Sequence, residues 1–336
     1  MTSPGDRLIT DGAECGDTLR WGVINNMVAS TAQKRTGNYS YQFSNSGAYY
    51  ATSKPFTALT EYNVRFSWRA TTPVASSFFK LLNGASSVAH DLRLISYGSG
   101  NSQVGVYDGS TLRGSSSLFS MLSVEWHVFE MYGKIHASSG SFQVKFDGTP
   151  ILSFTGQTNA QPGIDRVQVL GNNGGNSWYD DIAVDDRSGL GVAWINDGGV
   201  LAPLVPTGAG TYSDLLASSG SAWQCIDEIP NSDIDYVYES TVDKKSTYQM
   251  SDLSGLPAGA SIARVWVSAR AKQSASSGDK IGTELLSGAT LGQGADQALT
   301  VSTAEYLSAY YLVDPADSAA WTTEKVNALE AGAIVR

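Results

Sequence analysis

Apolar and polar residues alternate with a period of two through much of the first half of the chain. Tyr62, Val64, Phe66 and Trp68 alternate with Asn63, Arg65, Ser67 and Arg69. That spacing puts four apolar side chains on one face of a strand. Phe142, Val144 and Phe146 alternate with Gln143 and Lys145, and Asp147-Gly148 then turns the chain into Ile151-Leu152-Ser153-Phe154. Pro150 sits near the start of that second strand, where its missing donor does least harm. Gln103 to Tyr107 runs into Asp108-Gly109, a second hairpin signal. Trp126 to Tyr132 reads as a strand with both faces partly covered, Trp126 and Val128 on one side and Phe129 and Met131 on the other. Val167 and Val169, then Ile182 and Val184, continue the pattern. About ten strands are predicted before residue 190, with no helix between them. Parallel pairing would need long crossovers, so antiparallel sheets are expected. Two of them stacked bury the aromatic faces. The fold expected for residues 1–190 is one β-sandwich.

The texture then changes. Asp185-Asp186-Arg187-Ser188-Gly189 ends the strand text, and Gly198-Gly199, Pro203, Pro206 and Gly208-Ala209-Gly210 read as a connector. Strand signals resume at Ile234 to Tyr238, at Ala263 to Ala269 and at Tyr306 to Val313. Trp266 interrupts the second of these, as a residue covering another face or a neighbouring chain. Ser274 to Asp279 reads as a hairpin loop. Thr322 or Thr323 is placed to cap a short helix through Leu329, with Gly332 near its end and a last strand over Ala333 to Val335. Residues 191–336 are expected to form a second β-rich interaction or assembly domain.

Composition agrees with this class. Charged residues make only 16% of the 336 positions while glycine numbers 35 and tyrosine 16, which suits strands and turns better than surface helices. The formal net charge is −10, against direct nucleic-acid binding. Residues 1–190 hold 15 acids and 14 bases and the remainder 17 acids and 8 bases, so the two regions present different surfaces. No run of eighteen apolar residues exists, and no membrane insertion is expected. The start lacks the basic-then-apolar order of a cleaved signal peptide. Cys15 and Cys225 lie 210 positions apart and read as inert thiols rather than a disulfide framework.

The search for chemistry is mostly negative. His90, His127 and His136 stand in no metal-ligand spacing with either cysteine. There is no nucleophile elbow, phosphate loop or zinc helix motif. Gly171 to Asn176 does not lead into a helix and reads as a turn. Glu125, Glu130 and Asp147 are the acids best placed for glycan hydrolysis, but Glu125 and Glu130 point to opposite sides of a regular strand. Asp180, Asp181, Asp185 and Asp186 are candidate calcium ligands, calcium being the one candidate cofactor; strand-end hydrogen bonding is their structural alternative. Tyr97, Tyr107, Trp178 and Tyr179, with Tyr49-Tyr50, are candidate platforms for sugar rings, although sandwich cores use the same residue types.

Trp126-His127-Val128-Phe129-Glu130, Phe142 to Ile151 with its Asp147-Gly148 turn, Ile164 to Val169 and the closing Trp178-Tyr179-Asp180-Asp181-Ile182-Ala183-Val184 occur in that order. Over these roughly 60 residues the first region resembles the concanavalin A-like, laminin-G-like jelly-roll superfamily. The resemblance implies a jelly-roll sandwich. Some related jelly rolls are glucanases with Glu-x-Asp-x-x-Glu on one strand, and no such triplet occurs here. Trp223 to Pro230, Asp235 to Tyr238 and Trp321 to Gly332 extend a looser likeness: the whole chain resembles tailed-bacteriophage structural proteins that join such a domain to a β-rich part. It implies a non-enzymatic virion component, a capsid decoration, head spike, collar or tail accessory protein. Its expected partners are other virion proteins and further copies of itself as a homo-oligomer, with a host-surface glycan as a further candidate. A carbohydrate-binding adhesion module and a glycan hydrolase are the alternatives.

Overall fold

The computed structural model describes residues 7–45, 48–97, 101–158, 162–195, 201–256, 259–275 and 278–336. The chain divides into two compact units, Met1–Leu201 and Ala202–Arg336. The connector glycines Gly198-Gly199, and residues 276–277 of the expected Ser274–Asp279 loop, lie outside the described residues.

The first unit is an antiparallel jelly-roll sandwich. One sheet has eight strands, in spatial order Thr149–Gly156, Gly140–Phe146, His127–Lys134, Glu61–Ala70, Ser177–Asp186, Ser40–Phe43 and Met27–Ser30, with Arg7–Asp11 also paired to Ser177–Asp186. The other has seven: Thr111–Ser115, Gln103–Asp108, Ser87–Ser96, Ser77–Asn83, Arg166–Leu170, Tyr50–Ser53 and Trp21–Asn25. The alternating residues meet between the sheets. Phe66 stacks on Phe79 of the opposite sheet with centroids 4.0 Å apart and planes within 3°. Phe129 stacks on Phe66 at 5.6 Å. Tyr62, Val64, Phe142 and Val144 are fully buried in the same core. Pro150 falls in the outermost strand of its sheet, beside a register shift between Val144 and Lys145, where a missing donor is tolerated.

Two sequence expectations need adjusting here. The first unit has fifteen strands among the described residues rather than about ten. The additional ones are mostly short and lack alternation. Trp126 lies outside its expected strand, which runs His127–Lys134. The expected covering of both faces holds, with Val128, Phe129, Met131 and Tyr132 all buried.

The second unit is built on a six-stranded antiparallel sheet: Pro206–Ser213, Lys245–Met250, Glu330–Val335, Lys280–Ser287 and Thr290–Gln293 in order, with Gln297–Ala298 also on Lys280–Ser287. Two ribbons accompany it, Leu216–Ala217 with Val237–Tyr238 and Val265–Ala271 with Glu305–Tyr311. Val267, Leu285, Trp321, Val326 and Leu329 form its core. Trp266 sits on the ribbon opposite Tyr310, half-buried. The short helix is Thr323–Ala328, capped by Thr322, whose hydroxyl accepts the Lys325 N–H at 3.3 Å. Gly332 does not end that helix. It lies within the Glu330–Val335 strand, in register with Thr247 on one side and Glu284 on the other.

Candidate functional site

The outer face of the eight-stranded sheet carries the side chains that alternate with the core. Arg65, Glu130 and Lys145 are in register across three neighbouring strands, so they form one row on that face. Asn63, Tyr132 and Gln143 form the next row. An outward face of this kind is ordinarily wet, yet Arg65, Asn63, Ser67, Glu61 and Glu130 are all buried. The cover comes from the chain itself. After the Ser177–Asp186 strand, residues 187–195 cross back over the face. Gly189 donates its N–H to Glu61 Oε2 at 2.9 Å, and Ile195 donates its N–H to Glu130 Oε1. The Lys145 ammonium lies 4.2 Å from the centroid of the Trp194 ring, a cation–π contact. Tyr132 donates its hydroxyl to Glu61, and burial together with that carboxylate pushes its phenol up. The expected division at residue 190 therefore falls inside a segment that remains with the first unit.

The three acids weighed for hydrolysis have different surroundings. Glu130 is buried beneath the crossing segment, and Glu125 is exposed in the loop before the strand. Asp147, at the hairpin turn, accepts the Val128 N–H at 2.7 Å and lies 2.8 Å from His127 Nδ1. Burial opposes a charge on His127, but the contacts with Asp147 and the Leu122 carbonyl outweigh it and raise its pKa.

The four aspartates do not converge. A bulge between Asp180 and Ala183, with Asp181 at φ 49°, turns two of them toward the 35–36 loop. Asp180 accepts the N–H groups of Arg35 at 2.8 Å, Thr36 at 3.2 Å and Asp181 at 2.8 Å. Asp181 accepts from Arg35 Nη1 at 2.9 Å, Thr36 Oγ1 at 2.5 Å and Ser67 Oγ at 3.3 Å. Burial and the adjoining Asp181 raise the pKa of Asp180. Asp185 instead pairs with Arg7, and Asp186 accepts the Ser188 N–H at 2.9 Å. Glu14, which the sequence reading passed over, holds the same loop by accepting the N–H groups of Asn38 and Tyr39. Among the described residues no group of three or more His, Cys, Asp or Glu side chains is arranged to hold a metal ion. No disulfide joins Cys15 to Cys225: Cys15 Sγ accepts from Arg20 Nε at 3.2 Å and the Cys225 thiol donates to the Ser219 carbonyl at 2.8 Å.

The four candidate sugar platforms also separate. Tyr179 is fully buried, and its hydroxyl donates to the carbonyls of Phe78 at 2.5 Å and Leu170 at 2.8 Å. It is a core residue. Trp178 is buried too, with the Arg69 guanidinium 5.9 Å from its ring centroid. Tyr97 packs partly buried against the core. Tyr107 is on the outer face of the seven-stranded sheet. The Arg93 guanidinium lies 4.1 Å from its ring centroid. Arg93 also donates to Asp91 at 2.8 Å and to the Gly109 carbonyl at 2.6 Å, and Asp91 accepts from Ser77 Oγ at 2.9 Å. Asp91, Tyr107 and exposed Leu112 are in register across three strands. Beside them Gly105 leaves the backbone bare: a Cβ there would lie 2.7 Å from Ile95 Cδ1, 2.9 Å from Leu112 Cδ1 and 3.0 Å from Tyr107 Cε2. The result is a small apolar floor of Tyr107, Leu112 and Ile95, edged by Arg93 and its partner Asp91.

No protein-family model matches the chain, and no curated protein matches it. Solved structures do share similarity with about half of it. Cellulose induced protein, Cip1, is 15% identical with a TM-score of 0.40, over 53% of this chain and 97% of that one. Domain 4 of AbnA, an extracellular arabinanase from Geobacillus stearothermophilus in complex with arabinotriose, is 10% identical with a TM-score of 0.38, over 55% and 94%. A prokaryotic β-1,3-1,4-glucanase (lichenase) derived from a mouse hindgut metagenome is 13% identical with a TM-score of 0.35, over 53% and 98%.

Proposed function

We propose that the chain is a non-catalytic carbohydrate-binding adhesion module whose first unit contacts sugar at Tyr107. The observation that carries this reading is the Tyr107 platform itself. With the Arg93 guanidinium over one face of the half-buried Tyr107 ring, the C–H side of a sugar ring would pack on the ring surface that remains exposed. Arg93, whose side chain is 32% exposed, supplies donors at the edge for its hydroxyls. The crossing segment supports binding over turnover, because Glu130 is buried and engaged with Ile195 N–H rather than facing a second acid across a water-filled gap. The test is a glycan array probed with the full chain and with Tyr107→Ala, alongside assay of the bound glycans for new reducing ends. Binding that falls at least tenfold in the variant, without new reducing ends, supports the reading. Binding unchanged by the variant, or glycan cleavage by the wild type, overturns it.

A second reading is favoured by a different surface. Val23, Ile24 and Val28 are 51%, 40% and 54% exposed on Trp21–Asn25 and Met27–Ser30, edge strands of the two sheets of the sandwich. Exposed aliphatic residues on edge strands suit a subunit contact, as a structural component of a bacteriophage virion packed against copies of itself or other virion proteins requires. Sedimentation of the wild type and of the Val23→Ser, Val28→Ser double variant tests the self-contact. An oligomer that dissociates in the variant supports it, and a monomeric wild type overturns it.

A further inference from the structure

The second unit contains a cavity of about 240 Å3 between the Pro206–Ser213 and Lys245–Met250 strands and the 3-10 turn Ala222–Cys225. A break in strand register opens it. Ala209 pairs with Tyr248 and Ser213 with Ser246, so four steps on one strand face two on the other and the longer strand bows outward. Gly210 lets the bow form, since a Cβ there would lie 2.5 Å from the Thr247 carbonyl oxygen. Thr247 then fixes its shape: its hydroxyl accepts the Tyr212 N–H at 3.2 Å and donates to Glu330 at 2.5 Å.

The lining has a definite chemistry. Tyr212 and Trp223 contribute aromatic surface, and Ser213 and Ser221 contribute exposed hydroxyls. No charged side chain lines the space. Glu330, the nearest carboxylate to Thr247 in the hydrogen-bond network, is already engaged by Thr247 Oγ1, Thr211 N and Thr211 Oγ1. The Lys245 ammonium stacks on the Tyr212 ring, 4.1 Å from its centroid, so a cationic ligand would be repelled there. A purely apolar one would strip water from the hydroxyls without replacing it. A ligand with an apolar ring face and several hydroxyls satisfies both parts of the lining. The volume lies below the roughly 300–1,000 Å3 of pockets for drug-sized ligands, which limits the occupant to about one ring.

We propose that this cavity binds a single ring of a sugar or polyol, packed on Trp223 beside Tyr212 and hydrogen-bonded to Ser213 and Ser221. The site belongs wholly to the second unit and does not depend on the Tyr107 surface.

Saturation-transfer NMR on the full chain tests this, with glucose, galactose, xylose, myo-inositol and glucuronate as separate probes. Transfer to at least one neutral probe, surviving in Tyr107→Ala, is expected. Trp223→Ala is expected to weaken that probe at least tenfold. Ser221→Ala, a change at an exposed hydroxyl that leaves the fold intact, is expected to weaken it roughly fivefold, the value of one hydrogen bond. No transfer to any neutral probe at 50-fold excess overturns the proposal. So does neutral-probe binding unchanged in Ser221→Ala and Trp223→Ala. Loss of binding in Tyr107→Ala with full binding in both cavity variants assigns the sugar to the first unit and likewise overturns the cavity.

Discussion

Glu130 stands directly opposite Arg65 across two antiparallel strands, and both side chains are buried on the outward face of their sheet. Lys145 continues the row on Glu130's other side, with Trp194 beneath its ammonium. A carboxylate between two cations is electrostatically matched, but the match is needed only because residues 187–195 exclude water. Removing the central charge leaves a buried guanidinium poorly compensated. Glu130→Ala is therefore expected to destabilise the first unit by about 3–5 kcal/mol, measured by urea denaturation. Glu130→Gln keeps an acceptor for Ile195 N–H and is expected to cost less.

Trp194 gives a milder probe of the same cover. Its ring holds the distal end of the crossing segment through Lys145, a contact worth on the order of 1 kcal/mol. Trp194→Ala is expected to leave the sandwich folded while increasing limited proteolysis within 187–195, read by mass spectrometry of the first cleavage products. Unchanged cleavage there would show that the two carboxylate anchors suffice.

These relationships mark the limit of what periodicity reveals. Alternation identifies the Glu61–Ala70 and Gly140–Phe146 strands because half their residues must meet an opposite sheet, and Asp108-Gly109 and Asp147-Gly148 identify hairpins through the backbone geometry of their turns. It cannot reveal that the polar half is covered too, since Arg65 and Asn63 look solvent-facing until the chain beyond Asp186 returns over them. Ala193-Trp194-Ile195 is the only local trace of that return. Tyr179 misleads in the opposite direction: a tyrosine beside polar residues resembles a sugar platform, but two carbonyls from distant positions, Phe78 and Leu170, satisfy its hydroxyl inside the core. The aspartate run likewise reads as ligands for an ion, and its members are separated by a bulge that local sequence does not announce.

His90 makes one part of stability acid-sensitive. It is fully buried, close to Tyr62 and edge-on to Phe142, and burial lowers its pKa to about 4. The unfolded chain takes up the proton near pH 6.5 and the folded one only near 4. Stability is therefore retained above pH 6.5 and lost as pH falls through that window, by on the order of 3 kcal/mol. Denaturation measured between pH 7 and 4 checks the slope. NMR of the His90 ring is expected to remain in its neutral form at pH 5.5, and a titration midpoint near 6.5 would contradict the assignment.

Asp180 acts with the opposite sign. Its pKa is raised, so the folded state retains a proton that the unfolded chain releases near pH 4. Its contribution falls as pH rises from that range toward the raised value. Asp180→Asn removes this titration and keeps an oxygen to accept from the 35–36 loop. The variant is expected to gain stability relative to wild type as pH increases from 5 to 8, by paired urea titrations. A difference independent of pH would place the proton elsewhere.

Gly332 supplies the sharpest packing test in the second unit. Its strand runs between Lys245–Met250 and Lys280–Ser287, and a Cβ at this position would lie 1.8 Å from the Ser246 carbonyl oxygen and 2.9 Å from Thr247 Cα. Those atoms are backbone in a paired strand, so no side-chain rotation relieves the overlap. Gly332→Ala must push two strands apart, at a cost of about 1–3 kcal/mol or more. Ser246 and Thr247 also line the cavity, so the same displacement is expected to change its shape. Thermal unfolding should fall for Gly332→Ala, whereas Gly288→Ala, at an open turn with no atom within 4 Å of its Cβ position, carries only the backbone cost of its positive φ of 57°. A larger loss at Gly288 than at Gly332 would refute the close strand approach on which the cavity's geometry depends.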